Sequence, residues 1–300
     1  MPASGIPLTP KNHLMTQDEI YEITKTFVEL GIHKVRLTGG EPLVRKDFNE
    51  IISRLATLPI ELSITTNGIL VDRHIDVLKK VGVRTITVSL DSLNPEKFKH
   101  ITRRNEFYKV QQNIDLLLQE GFNVKINIVL IKDFNDNEII DFINLTQKQN
   151  IIIRFIEFMP FDGNSWDRNK LVPHKEILNL LEYNYPLQLQ KLTDEKHETA
   201  RNYRIKNYKG SFGLISSITN PFCDSCNRIR LTADGKITNC LFSSKESSIL
   251  EPLRNNESIL PIIQKSIQSK HFTRAGMDTE DKMNDPSLHS SNRSMISIGG

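Results

Sequence analysis

The 300-residue chain is 38% apolar and 25% charged, with a net charge of +3, the make-up of a soluble globular protein large enough for one big domain or two ordinary ones. So small a positive balance argues against a nucleic-acid surface, and no apolar run approaches the length of a membrane span. The N-terminus MPASGIPLTP has neither the basic nor the apolar region of a signal peptide, and the three cysteines cluster, so a cytoplasmic location with reduced, metal-binding thiols is expected.

From the N-terminus, Thr16 and Glu19 form a capping box for a helix over 16–30. Ile20, Ile23, Phe27 and Leu30 share one of its faces, and Gly31 is the stop. KVRLT (34–38) reads as a short strand, and a helix from Asp47 carries Phe48, Ile51, Ile52 and Leu55 as its stripe. The strands LSITT (62–66), TITVSL (85–90), VKINIVL (124–130) and IIIRFIEF (151–158) follow. Between them lie a helix ending at Gly82, one through Val110, Ile114 and Leu117, and one from Asp136. Such alternation predicts an α/β fold with a parallel sheet, open or barrel-like, and ligands at the C-terminal ends of the strands. Polar punctuation falls at those ends: TGGEP (38–42), TTNG (65–68), SLDS (89–92) and EFMP (157–160). The alternation opens on a helix with no strand before it. The first strand is therefore expected to be missing, leaving an unpaired sheet edge and an exposed apolar face on helix 16–30.

After residue 185 the pattern changes to short strand-like runs: LQLQKL, RNYRIK, FGLIS, RIRLT and KITNC, with a hairpin turn at Asp234-Gly235. A helical stretch broken near Pro252 comes next. The chain divides on this reading into a truncated barrel over 1–185, a cysteine-bearing C-terminal region over 186–272 and a polar tail over 273–300, flexible by composition.

Cys223, Cys226 and Cys240 can converge if the hairpin between the last two folds back. Zinc would want a fourth Cys or His. A cubic iron–sulfur cluster tolerates three thiolates and leaves one iron open to a substrate atom. Buried structural thiols are the plain alternative. Arg228 and Arg230 stand at i and i+2 of a strand, where their forks on one face would suit phosphate or simply meet solvent. RLTGGEP lacks the glycine pattern of a dinucleotide or P-loop fingerprint. Its two glycines nevertheless allow close backbone approach, and Glu41 could accept from an ammonium group. Lys125 and Asn127 share a face of an otherwise apolar strand, opposite Val124, Ile126 and Ile128, as a barrel interior or an edge strand would allow.

VRLTGGEPL, TTNG, VSLDSL, VKINIVL, RFIEFMP and FCDSCNRIRLTADGKITNCLF, with a terminal Gly-Gly, occur in the order and spacing of one family. Over essentially its whole length the chain resembles the radical S-adenosylmethionine (SAM) enzymes of molybdenum cofactor biosynthesis, the GTP 3′,8-cyclases. The resemblance implies a partial TIM-like (β/α) barrel with two 4Fe–4S clusters, one cleaving SAM and the other anchoring GTP. It implies the product (8S)-3′,8-cyclo-7,8-dihydroguanosine 5′-triphosphate. Carried over, Cys223, Cys226 and Cys240 would hold the GTP-side cluster, with GTP in its fourth place. Arg36, Thr65, Lys125, Arg228, Ile229 and Arg230 would contact GTP. Gly40, Ser89 and Met159 would line the SAM pocket, Glu41 would take the methionine ammonium, and Gly299-Gly300 would enter the active site. A homodimer and a downstream cyclic pyranopterin monophosphate synthase are implied as partners.

In the family a C-x-x-x-C-x-x-C motif holds the first cluster and Met-Pro follows it. This chain begins at Met1-Pro2, so the resemblance implies that the first cluster's ligands, the first strand and an upstream GTP-contacting Arg are absent and the 300 residues inactive on their own. The competing expectations are a non-catalytic GTP-binding iron–sulfur (or zinc) protein derived from the cyclase, and a structural zinc module on a partial barrel.

Overall fold

The computed structural model describes residues 9–161, 166–285 and 288. Helix α1 (Gln17–Glu29) starts at the expected capping box: the Glu19 amide donates to Thr16 Oγ1 at 3.2 Å, and the Thr16 amide donates to Glu19 Oε2 at 2.7 Å. Strands β1 (Lys34–Leu37), β2 (Glu61–Thr66), β3 (Thr85–Ser89), β4 (Asn123–Leu130) and β5 (Ile152–Glu157) are parallel neighbours in that order. Their crossovers are α2 (Phe48–Leu55), α3 (Ile75–Lys80), the pair α4 (Pro95–Thr102) and α5 (Phe107–Gln119), and α6 (Ile139–Lys148). This is the α/β architecture read from the sequence.

The sheet does not end with the fifth strand. After α7 (His174–Asn184) come β6 (Leu189–Lys191), β7 (Arg201–Ile205) and β8 (Ser211–Ile215), giving an eight-stranded sheet of order β1-β2-β3-β4-β5-β8-β7-β6. β8 runs parallel to β5, β7 pairs antiparallel with β8, and β6 pairs antiparallel with β7. Three runs that sequence reading placed with the cysteines therefore extend the main sheet. A separate three-stranded sheet comprises β9 (Arg230–Leu231), β10 (Lys236–Thr238) and β11 (Ser247–Ser248), and the turn at Asp234-Gly235 joins its first two strands. Gly235 there has φ +68°, and a Cβ on it would meet Leu250 Cβ at 2.5 Å.

Strand alternation sorts the main sheet into two faces. Leu62, Ile64, Ile86, Val88, Val124, Ile126, Ile128, Ile153, Phe155, Phe212 and Leu214 form the apolar face and are buried with the stripes of α2, α5 and α6 in one core. The other face is polar.

Two expectations need correcting. The apolar face of α1 is not exposed: Ile23 and Phe27 are buried with Ile237, Ile249, Leu250, Ile259 and Ile263, and only Leu30 of the expected four is open to solvent. The covering residues come from β10 and from α8 (Leu250–Arg254) and α9 (Leu260–Gln268), more than 200 positions later in the chain. Arg254 closes the join, its guanidinium meeting Glu19 Oε1 at 2.6 Å and the Asn12 carbonyl at 3.1 Å. The helical break falls after Arg254; Pro252 sits in the first turn of α8, where a missing N–H costs nothing. The start of the polar tail is also structured. Met277 and Met283, the latter in α10 (Glu280–Asn284), are buried against Phe242. Bulk composition averages two such anchors away. Gly299 and Gly300 lie outside the described residues.

Candidate active site

The polar face is unusual for a parallel sheet, which is normally apolar on both sides. In register across it stand Arg36 beside Ser63, then Thr65, Thr87 and Lys125, then Asn127, Arg154, Gly213 and Asn202. Ser63, Thr65, Thr87 and Arg154 are buried. Four groups here, Ser63 Oγ, Thr65 Oγ1, Asn127 Oδ1 and Arg154 Nε, are enclosed without a hydrogen-bond partner. Each such group costs on the order of 1–3 kcal/mol. A set of them on one surface is what a cavity built for a polar ligand would leave.

The electrostatics specify the sign of that ligand. Arg154, 6% exposed, donates to Thr87 Oγ1 at 3.2 Å. Burial, assisted by the charge of Arg36, pushes its pKa down to about 9, and Glu198 offsets this only in part. Burial and then Arg154 lower Lys125. Arg36 is open to solvent at the edge strand, and the protein packed around its base and then Arg228 lower it; Arg230 is lowered by burial and then by Arg228 and Arg36. Five cations thus repel one another in one region, which a polyanion would relieve. Of the five, Arg154 escaped sequence reading, although an Arg inside IIIRFIEF is the same signal as Lys125 inside VKINIVL. Arg228 is not in a strand, as it was expected to be. It precedes β9, with its guanidinium 5.0 Å from the Phe222 ring centroid and donating to the His197 carbonyl at 3.3 Å. It reaches Arg230's neighbourhood through the loop rather than by strand pleating.

At the C-terminal ends of the strands, Gly39 (φ +120°) and the exposed Gly40 lead into Glu41. The Glu41 carboxylate accepts from Thr66 Oγ1 at 2.7 Å, the Asn67 amide at 2.6 Å and the Leu43 amide at 3.1 Å, and burial raises its pKa. The chain itself thus fills three of its roughly four lone-pair positions. Glu41 ties the GGEP turn to the TTNG turn, and about one acceptor position of its carboxylate is left over. Gly68 in the second turn has φ +81°, and a Cβ there would stand 2.9 Å from Val88 Cγ1. Ser89 is exposed at the end of β3. Two residues on, burial pushes the Asp91 carboxyl up to about 6, although it accepts from the Val129 amide at 2.8 Å. Glu157, at the end of β5, accepts from the Ile218 amide at 2.8 Å, the Thr219 amide at 3.0 Å and the Thr219 hydroxyl. It thereby anchors the segment leading to the cysteines. Met159 packs against the buried cluster of Phe242, Met277 and Met283, and so does Cys240.

Cys223 opens a single 3-10 turn ending at Ser225, Cys226 follows it, and Cys240 lies just beyond β10. All three are half-buried free thiols. Burial raises Cys240, and the neighbouring Cys223 and Cys226 raise it further, so the three sense one another. Burial acts the same way on Cys226, but the backbone at Arg228 and the charges of Arg228 and Lys270 together take it below the usual thiol range. Among the described residues no group of three or more His, Cys, Asp or Glu side chains is disposed to hold a single metal ion. An iron–sulfur cluster asks for something different, since its thiolates bind separate irons and stand farther apart than ligands of one tetrahedral ion. Three gathered thiols flanked by cations fit that group.

Five consecutive parallel strands with helical crossovers and polar turns at the strand C-termini are the architecture of a radical SAM protein. Residues 2–146 match the family model described as Radical SAM superfamily, and residues 151–275 the one described as Molybdenum Cofactor Synthesis C. The chain is 42% identical over 306 residues to the mitochondrial GTP 3′,8-cyclase of Arabidopsis thaliana, covering 100% of this chain and 76% of that protein. It is 39% identical to GTP 3′,8-cyclase of Alkaliphilus oremlandii, covering 100% and 92%. With Molybdenum cofactor biosynthesis protein 1 of Drosophila melanogaster it shares 41% identity over 90% of this chain but only 49% of that one. The chain thus spans about half the length of the animal relative. It belongs to the GTP 3′,8-cyclase family. The crystal structure of Streptococcus suis SuiB bound to S-adenosylmethionine has the same fold, with a TM-score of 0.57 at 15% identity over 79% of this chain and 57% of that one. No helix among the described residues is long and apolar enough to cross a membrane.

Proposed function

We propose that this chain binds GTP on the polar sheet face for radical SAM cyclisation to (8S)-3′,8-cyclo-7,8-dihydroguanosine 5′-triphosphate. The observation that carries the reading is the convergence of Arg36, Lys125, Arg154, Arg228 and Arg230, with Arg228 and Arg230 next to the thiols of Cys226 and Cys240. Guanidinium forks and an ammonium desolvated by burial bind phosphate oxygens strongly because competing water is excluded. Thr65 Oγ1 and Asn127 Oδ1, both lacking partners, would complete the polar contacts, and Ile229 would border the base. Gly40, Ser89 and Met159 would line the SAM side, with Glu41 holding the GGEP turn in shape. Cys223, Cys226 and Cys240 would hold a 4Fe–4S cluster, which supplies an open iron to a substrate heteroatom. Gly299-Gly300, a homodimer, a cytoplasmic site of action and a downstream pyranopterin monophosphate synthase belong to the same reading.

Reductive cleavage of SAM calls for a second cluster, and the sequence has three cysteines in all. The 300 residues alone are therefore expected to bind GTP without converting it. The second reading is a non-catalytic GTP-binding iron–sulfur (or zinc) protein derived from the cyclase, in which the gathered thiols and the cations beside them would serve GTP binding alone. The test is anaerobic reconstitution with iron and sulfide, followed by GTP titration and product analysis with SAM and a reductant. A brown protein whose GTP affinity falls as salt rises is expected. No GTP binding would overturn the proposal, and turnover by this chain would overturn its single-cluster part.

A further inference from the structure

The Lys270 ammonium, two residues beyond α9, donates to the Cys226 carbonyl at 2.9 Å, to the Arg228 carbonyl at 3.2 Å and to Cys226 Sγ at 3.3 Å. An ammonium has three protons, and all three are committed to one arm of the cysteine site. The other arm is held by the same helix end. Asn239, next to Cys240, donates through Nδ2 to the Ser266 carbonyl at 2.6 Å and to Ser269 Oγ at 3.3 Å. The anchor for both arms is firm: Ile263 of α9 is fully buried against α1. The C-terminal end of a helix also carries partial negative charge, which favours a cation such as Lys270 there.

We propose that Lys270 is a positioning residue of the cysteine site: it fixes the 226–228 arm and, through its charge and its N–H···S contact, eases electron uptake at the site. The second role rests on the three thiols holding a cluster, as proposed above. Physically, a donor and positive charge at a ligating sulfur stabilise the more negative, reduced state, and outer hydrogen bonds of this kind tune both retention and potential. A lysine that merely packed against the loop would not need its third proton on sulfur.

Three substitutions separate the two roles. Lys270→Arg keeps charge and donors, Lys270→Gln keeps donors without charge, and Lys270→Met removes both. In the cluster-free protein, hydrogen exchange over 223–230 is expected to quicken in Lys270→Met and to stay near wild type in Lys270→Arg. In the reconstituted full chain, a redox titration followed by electron paramagnetic resonance is expected to show about a tenfold drop in the reduced-to-oxidised ratio at the wild-type midpoint for Gln and Met, a shift of about 59 mV for one electron. Arg should restore the wild-type midpoint. Unchanged exchange in Lys270→Met overturns the clamp, and unchanged midpoints in Gln and Met overturn the electronic role. A wild-type protein that takes up no iron removes the electronic role together with the cluster reading, while the exchange measurement still decides the clamp.

Discussion

Along β5, Phe155 turns toward the helix layer, its ring centroid 6.3 Å from that of Phe142, whereas Arg154 turns the other way, among Thr87, Lys125 and Arg36. Both are buried, yet one satisfies everything near it while the other keeps an unpartnered Nε among like charges. The same contrast runs across the sheet, Ile64 against Thr65 and Ile126 against Lys125. Folding free energy is gathered on one face, and the other is left electrostatically unfinished, to be completed by a ligand. Binding strength comes from that incompleteness.

Altering these two neighbours in turn separates the contributions of the two faces. Phe155→Ala should cost about 3–5 kcal/mol of stability through the cavity it leaves in the core, measured by urea unfolding. Its GTP affinity, measured below the unfolding transition, should be nearly unchanged. Arg154→Met should do the reverse. GTP affinity is expected to fall by about 1.5–3 kcal/mol, roughly 10- to 150-fold in Kd. Its stability should hold or rise, because a buried unpaired cation is replaced by apolar volume. If Arg154→Met unfolds the protein as Phe155→Ala does, the two faces do not differ as argued.

A smaller effect sharpens the boundary between the faces, at the strand ends. Burial lifts the Asp91 carboxyl to about 6 in the folded protein, against 3.8 unperturbed. Between about pH 4 and 6 the folded state therefore holds the proton more than the unfolded state does, so stability falls as pH rises through that window and stays at the lower level above it. Asp91→Asn removes the ionisation while its carbonyl still accepts from the Val129 amide. It should flatten that window and leave the variant about 1–3 kcal/mol more stable than wild type at pH 7.5. A pH profile identical to wild type would show that the carboxyl is not desolvated.

Much of this was legible beforehand. The Thr16–Glu19 box, the alternating VKINIVL strand and the Asp234-Gly235 turn each appear in the structure where local chemistry puts them. Three helices were missed: α4, although Asn94-Pro95 is an N-cap followed by a proline in the first turn; α7, which has Pro173 as its N-cap and no side-chain cap; and α10, inside the stretch whose composition reads as a flexible tail. Arg154 went unread although alternation assigns it a face as it does Lys125; what alternation does not supply is which other strands bring their polar residues to that face. Only register with Asn127 and Gly213 puts it beside the other cations.

Local pattern, then, determined which segments become helices and strands and which side chains share a face, because those follow from periods of 3.6 and 2 residues over short stretches. It also carried the cysteine spacing and the GGEP turn. Tertiary structure decided the rest. It covered α1 with residues more than 200 positions away, added β8, β7 and β6 beside β5, and brought the end of α9 onto both arms of the cysteine site. Those contacts join residues far apart in sequence, and which of many compatible surfaces meet is settled by how the whole core packs, not by any stretch of the chain alone.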